Sequence, residues 1–290
     1  MNKIIILLLV SVASSLCVVN AQDVLSTEQM NSVFKKEKHH NKRVQPYAPL
    51  RQADVMWSRK VWRELDLRQK INHPFYYPEN NGIPGSAVTD DRKSLIDVIF
   101  NAVQEGSITA YGNAVYDDEF RTPMTQAEIK NIGGAKEEII EVVDWDAVAL
   151  GADPSDATTT RTNLVPFNRN TVKKWRLKEE WFFDKQRSVM DVRIIGIAPM
   201  QENRDEVTGQ LLDGFSPLFW VYFPEARKIL INAEVFNLVK NDAERRTYDD
   251  IFWKRMFGST IIKEANVMDR KVNEYMIGLD ALLEAERIKA

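Results

Sequence analysis

The clearest pattern of apolar and polar positions lies in the middle of the chain, in residues 174–198. Large apolar side chains alternate there with charged ones, and this two-residue period predicts a β-strand. The apolar members are Trp175, Leu177, Trp181 and Phe183. A polar turn at residues 185–188 leads into a stretch rich in β-branched residues, so we predict an antiparallel hairpin. Residues 218–223 are apolar on both faces, which is typical of a central strand.

Spacings of three and four residues predict helices before the hairpin. An apolar stripe with basic residues on its other side predicts a first helix over residues 54–71. This stripe consists of Trp57, Val61, Trp62 and Leu65. A second helix is expected in residues 89–106, where acidic residues precede another stripe. Thr125 and Glu128 have the spacing of a capping box, which predicts the start of a third.

Two further helices are predicted at the C-terminal end of the chain. Thr247 and Asp250 form a second capping-box match, and aromatic and aliphatic residues behind it predict a helix over residues 248–264. The last helix is expected over residues 267–288, where apolar residues recur at alternating three- and four-residue steps as in a coiled-coil seam. This seam consists of Met268, Val272, Tyr275, Leu279 and Leu282. The elements together predict an α+β fold, with an antiparallel sheet packed against several helices.

The N-terminus has the pattern of a secretory signal peptide over residues 1–21. Lys3 precedes a short apolar stretch, and small residues come before the expected cleavage between Ala21 and Gln22. Residues 22–50 are rich in basic residues and poor in aliphatic ones, which predicts a flexible basic arm. We expect residues 51–290 to form a single globular α+β domain that ends in a helical region.

Composition excludes several classes of function. The one cysteine, Cys17, lies in the signal peptide, so the mature chain would have neither disulfides nor cysteine-ligated metals. A formal net charge of −3 is unsuited to binding nucleic acid. The chain is rich in tryptophan, phenylalanine and arginine, which carry much of the energy of protein contacts. The candidate partner-interface residues are Trp57, Val61, Trp62, Leu65, Met268, Val272, Tyr275, Leu279 and Leu282, although each could equally belong to the core.

The catalytic candidates are weak. Asp144 and Asp146 have the DxD spacing with which sugar-nucleotide transferases hold a divalent metal. A periplasmic, metal-dependent carbohydrate-active enzyme, or a glycan-binding module, is therefore the alternative function. Asp249 and Asp250 are paired carboxylates, but they lie where a helix begins and its dipole favours acidic residues. The scarce histidines show no zinc-ligand spacing.

Four long segments in a fixed order carry a resemblance to a known family. These are Asp54–Pro78, Ser94–Gly106, Phe223–Arg270 and Gly278–Ile288. They resemble the GldN family, called PorN in some members, of the gliding-motility and type IX secretion apparatus of Bacteroidetes. The resemblance implies a non-enzymatic structural subunit without a cofactor or small-molecule substrate.

The same resemblance implies a place and partners for the chain. The expected place is the periplasm, at the inner face of the outer membrane. The expected partners are a GldK-like (PorK-like) outer-membrane lipoprotein, with which the chain would form a ring, and the periplasmic part of a GldM-like (PorM-like) motor component. Self-association within the ring is also expected.

Overall fold

The computed structural model describes residues 42–79, 92–112, 118–132, 136–143, 158–165, 167–204, 210–236 and 244–289, with 136–143 and 158–165 as backbone only. The chain divides into two compact units, residues 1–40 and 41–290, and every described residue lies in the second. The strands are β1 (Val55–Asp66), β2 (Ala110–Tyr111), β3 (Lys136–Val143), β4 (Thr158–Val165), β5 (Val172–Asp184), β6 (Val189–Arg204), β7 (Leu211–Pro217), β8 (Trp220–Tyr222) and β9 (Thr260–Glu264). The helices are α1 (His73–Tyr76), α2 (Leu95–Gln104), α3 (Gln126–Lys130), α4 (Phe223–Leu230), α5 (Tyr248–Trp253), α6 (Val272–Tyr275) and α7 (Leu279–Lys289).

Seven strands form one antiparallel sheet, which confirms the predicted α+β class. The strand order is β2-β8-β6-β5-β1-β9, with β7 paired to β6, while β3 and β4 form a separate hairpin. The predicted hairpin is confirmed as β5 and β6, in which Trp181 lies opposite Val192 and Leu177 opposite Ile197. The predicted central strand is confirmed in shorter form as β8, which lies between β2 and β6.

The predicted first helix over residues 54–71 is wrong, because this segment forms the long strand β1. Positions 57, 61 and 65 are separated by even numbers of residues, so a strand also places them on one face. Val61 and Leu65 are buried on that face, while Trp62 is buried on the opposite one. A strand that is covered on both faces loses the simple alternation by which strands are recognised.

The predicted C-terminal helices are both too long. The helix expected over residues 248–264 ends at Trp253, and the β-branched residues that follow Gly258 pair with β1 as strand β9. The helix expected over residues 267–288 is two helices, α6 and α7. Met276 is extended between them and Gly278 has a φ of 64°, a left-handed conformation that glycine adopts without strain.

Two helix starts were predicted correctly, and in both a side chain forms hydrogen bonds with a residue three positions along the chain. Thr125 with Glu128, and Thr247 with Asp250, form complete capping boxes. Helix α2 begins after Ser94, whose hydroxyl accepts a hydrogen bond from the Asp97 backbone N–H, and the acidic residues predicted to open it lie outside the described residues.

The main core lies between one face of the sheet and helices α1, α2, α4 and α5. Its largest fully buried side chains include Trp175, Tyr248, Phe75 and Phe223. The Tyr248 hydroxyl donates to the backbone oxygen of Lys93 at 2.7 Å, and burial raises its pKa well above the ordinary value. A smaller cluster of Trp62, Ala198 and Trp220 covers the other face.

Candidate interaction surfaces

The four candidate interface residues near the N-terminus all lie on β1, but they differ in how far they are exposed. Val61, Trp62 and Leu65 are 1%, 8% and 0% exposed. Trp57, nearer the start of the strand, is 41% exposed. Of these four residues, Trp57 is therefore the one whose side chain presents a large area to a partner.

Trp62 is held in place by polar contacts on the face opposite the main core. Its indole Nε1 donates to the Asp118 carboxylate at 2.6 Å. The Nζ atoms of Lys263 and Lys178 lie 4.4 Å and 5.6 Å from the ring centre, a favourable arrangement of cations around an aromatic ring. Burial lowers the pKa of Lys178, against the opposing effect of the Asp118 carboxylate. Trp62 thus fastens the loop that carries Asp118 to the sheet.

The five candidate residues near the C-terminus also divide into buried and exposed ones. Val272 is 2% exposed and belongs to the interior. Met268, Tyr275, Leu279 and Leu282 are 70%, 39%, 70% and 55% exposed. Because two helices replace the predicted single one, these residues form an apolar surface around α6 and α7 instead of one continuous seam.

Helix α7 turns Ala285 and Ile288 towards the sheet and its leucines outwards. Ala285 is buried in a cluster with Val61 and Ile261. Leu279, Leu282 and Leu283 project away from this contact, the last two at 55% and 59% exposure. We call these three leucines the leucine face. An amphipathic helix in an isolated domain normally directs its leucines into the core, so an outward leucine stripe indicates an interaction surface.

A second apolar surface lies on the sheet itself. Trp57 is directly opposite Phe183 on β5, and Phe183 is opposite Met190 on β6. Directly opposite residues project to the same face, so the three side chains form a row across three strands. Trp57 and Met190 are 41% and 54% exposed. We call these three residues the Trp57 row.

The leucine face and the Trp57 row lie on the same side of the sheet. Trp181 packs against the cluster of Val61 and Ala285 beneath helix α7. Strand alternation places Trp57 on the face of Val61, four residues and about 13 Å along β1, and Phe183 on the face of Trp181, two residues and about 7 Å along β5. The row is therefore the stretch of sheet that continues beyond the end of the area under the helix.

The charged side chains that border these surfaces are paired within the chain. These pairs are Glu284 with Arg287, Glu286 with Lys289, Arg59 with Glu264, and Arg187 with Asp184 and Asp191. The Arg287 guanidinium lowers the pKa of Glu284, and that of Arg187 lowers the pKa of Asp184. These pairs contain five acids and four bases, so their summed charge is close to zero.

Buried charges elsewhere are occupied in holding the fold together. The fully buried carboxylate of Glu179 accepts hydrogen bonds from Arg255 at 2.6 Å and from the Trp181 indole at 2.9 Å. Asp249, one of the paired carboxylates considered as catalytic, accepts two hydrogen bonds from the buried Arg227. Asp250 beside it caps helix α5. These carboxylates have structural partners in place of a substrate.

The remaining catalytic candidate, Asp144 with Asp146, lies outside the described residues. The cleavage position at Ala21 and Gln22 also lies outside them. Within the part of the chain that the structure describes, no group of three or more histidine, cysteine, aspartate or glutamate side chains could hold a metal ion. No helix among the described residues is long and apolar enough to cross a membrane.

Several exposed apolar residues were missed in the sequence. Leu283 and Ile277 are 59% and 87% exposed, yet they were not singled out, nor were Phe183 and Met190 as part of an interface. Leucines at three- and four-residue steps are the ordinary signal of a helix face that points inwards. The alanines of α7 gave the only contrary signal, because small side chains allow a helix to approach a sheet closely.

Comparison with protein families gives one match. Residues 50–290, most of the chain, match the family described as gliding motility associated protein GldN. No curated protein matches the chain.

Proposed function

The chain belongs to the GldN family, and on this basis we propose that it is a non-enzymatic structural subunit of the type IX secretion and gliding machinery. Membership of this family indicates a component of the gliding motility apparatus. In the proposed role, the chain is exported to the periplasm and assembles there with a GldK-like (PorK-like) outer-membrane lipoprotein into a ring. The periplasmic part of a GldM-like (PorM-like) motor component is the second proposed partner.

The outward leucine face is the observation that carries the assembly role in this proposal, that of a chain covered by other protein. Leu279, Leu282 and Leu283 are 70%, 55% and 59% exposed, and Ile277 just before them is 87% exposed. Contiguous exposed aliphatic residues are unfavourable in a free monomer and are typical of surfaces that other proteins cover. Their position on a helix that is itself fastened to the sheet suits a permanent contact, since the helix does not have to order on binding.

A second observation supports a structural role over a catalytic one. Glu179, Asp249 and Asp118 accept hydrogen bonds from arginine or tryptophan side chains. Groups held in this way strengthen the fold. In a ring, many moderate contacts act together, so each junction can be weak while the whole assembly is stable.

Co-purification with the lipoprotein tests the proposal. The mature chain from Gln22 would be mixed with its GldK-like partner, lacking the lipid, and measured by size-exclusion chromatography with light scattering. The proposal expects a stable complex that grows into much larger species than either protein alone. Two separate peaks at every mixing ratio, with both proteins folded, would contradict it.

A further inference from the structure

The leucine face and the Trp57 row are two apolar surfaces that lie side by side. The leucine face is raised above the sheet, and the Trp57 row lies at the level of the strands. Helix α7 lies on the sheet over Val61 and Trp181, so its leucines stand about 10 Å above the level of the strands. The Trp57 row is partly exposed sheet just beyond the helix, with the Arg59 guanidinium 5.8 Å from the centre of the Trp57 ring. Both surfaces face away from the sheet in the same direction.

We propose that these surfaces bind a second copy of this chain in a two-fold symmetric dimer. In this dimer, the leucine face of each copy lies on the Trp57 row of the other. A two-fold contact requires a patch that is complementary to itself. The raised leucine face beside the lower Trp57 row satisfies this requirement. A two-fold axis between the two surfaces places the leucine face of each copy over the Trp57 row of the other.

The two-fold arrangement uses both apolar surfaces of each copy. Each copy contributes both surfaces, so every contact of Leu282 or Leu283 with the Trp57 row is made twice. Further apolar area lies just before helix α7 at Ile277, which is 87% exposed.

The charges favour a second copy over a membrane surface. Glu284 with Arg287, and Glu286 with Lys289, are paired on α7 itself. Two such surfaces can approach without net repulsion. An anionic lipid surface is instead recognised by a cluster of unbalanced basic side chains, and the pairs at this border contain five acids and four bases.

This inference rests on the proposed assembly role and deepens it by naming one of the contacts. A two-fold contact closes between two copies, so it cannot link further copies around a ring. Ring growth would therefore depend on a different surface, the one that meets the lipoprotein. The leucine face joins copies in pairs, and the lipoprotein joins pairs to one another.

Cross-linking between two single-cysteine chains tests the geometry. The mature chain from Gln22 contains no cysteine, so introduced thiols have no competitor. One chain would carry Leu283→Cys and the other, with a different tag, Met190→Cys. On mild oxidation, we expect the mixture to give a disulfide-linked pair of the two tagged chains, at least fivefold more than either chain gives alone.

The matched control is Leu212→Cys, at another exposed leucine (55%) on strand β7. Cross-linking of Leu283→Cys to Met190→Cys no stronger than to this control would overturn the dimer. So would a cross-link of Leu283→Cys mainly to itself, which indicates leucine face against leucine face. The experiment uses the chain alone, so its failure is distinguishable from failure to bind the lipoprotein.

Light scattering on the same chain gives an independent readout. The wild-type chain should change from monomer to dimer as its concentration rises, whereas Leu282→Arg with Leu283→Arg should weaken dimerisation at least tenfold. Leu212→Arg, the matched exposed substitution, should leave it unchanged. A wild-type chain that stays monomeric at every concentration, or a double variant that dimerises normally, would refute the proposal.

Discussion

The ring of Phe120 lies over Gly196, so close that a Cβ at position 196 would clash with the ring atom Cζ. Phe120 also contacts Trp220 and Tyr111 edge to face, at 6.3 Å and 5.4 Å between ring centres. Its backbone has a φ of 59°, which is uncommon for a residue other than glycine. The packing over Gly196 holds the loop after residue 117 in this conformation.

We predict that Gly196→Ala lowers the free energy of unfolding by about 1–3 kcal/mol, because the added methyl group displaces the ring of Phe120. Urea denaturation of the mature chain measures this change. The matched test is the same substitution in a Phe120→Ala background, where the ring is gone and the loss should be much smaller. Equal losses in both backgrounds would show that the contact is not the cause.

The two tryptophans of β1 should differ sharply in their contribution to stability. Trp62→Ala should lower the free energy of unfolding by about 3–5 kcal/mol, since it empties a buried site and releases Asp118. Trp57→Ala should lower it by about 1 kcal/mol or less, because 41% of the side chain is already exposed. Guanidinium chloride denaturation distinguishes the two, and similar losses would contradict the assignment of Trp57 to a surface.

The pair of Arg227 and Asp249 should be essential for folding. The side chains are 3% and 8% exposed, and two hydrogen bonds of 2.7 Å and 3.1 Å join them. Arg227→Met should lower the free energy of unfolding by about 3–5 kcal/mol, because it leaves the Asp249 carboxylate buried without its partner. Arg287→Met, which breaks a pair at the surface, is the control and should have a far smaller effect. Comparable effects in urea denaturation would contradict the prediction.

Asp184 should make stability depend on pH in the acid range. The Arg187 guanidinium, 2.6 Å away, lowers the pKa of Asp184 in the folded chain. The unfolded chain therefore binds the proton first as the pH falls. The stabilisation by the Asp184–Arg187 pair is fully present above the ordinary aspartate pKa of about 4. It is lost as the pH falls through the lower pKa of Asp184 in the folded chain.

Asp184→Asn tests this dependence, because the amide does not titrate. The difference in unfolding free energy between the wild-type and variant chains should be constant above about pH 5 and should shrink below about pH 4. Urea denaturation at a series of pH values measures it. A difference that stays constant down to about pH 2 would show that the pair with Arg187 does not shift the pKa.

Elements with local causes were predictable from the sequence. The β5–β6 hairpin follows from the alternation of apolar and charged residues around Trp181, which Glu179 interrupts, and the capping boxes at Thr125 and Thr247 follow from side-chain reach over three residues. The sequence predicts a helix where β1 lies because Val61 and Leu65 are four residues apart, a spacing that fits a helix and one face of a strand alike. What decides between them is pairing with β5 and β9, which lie more than a hundred residues away.

The candidate interface could be predicted only in part. The sequence indicated Trp57, Leu279 and Leu282, which are exposed, but it also indicated Val61 and Val272, which are buried. Apolar side chains look the same in a sequence whether the domain or a partner covers them. The orientation of α7, with Ala285 inwards, depends on how closely the helix can approach β9 and β1, and this is a property of the packed structure.

Complementation of a strain that lacks this gene tests the central claim of assembly without catalysis most directly. Secretion of type IX cargo would be measured with the wild-type chain, with Asp144→Asn plus Asp146→Asn, and with Leu282→Arg plus Leu283→Arg. We expect full secretion with the first two and a severe loss with the leucine variant, at equal protein levels. Loss of secretion with the aspartate variant, while the complex with the lipoprotein still forms, would contradict the account and point to chemistry at those carboxylates.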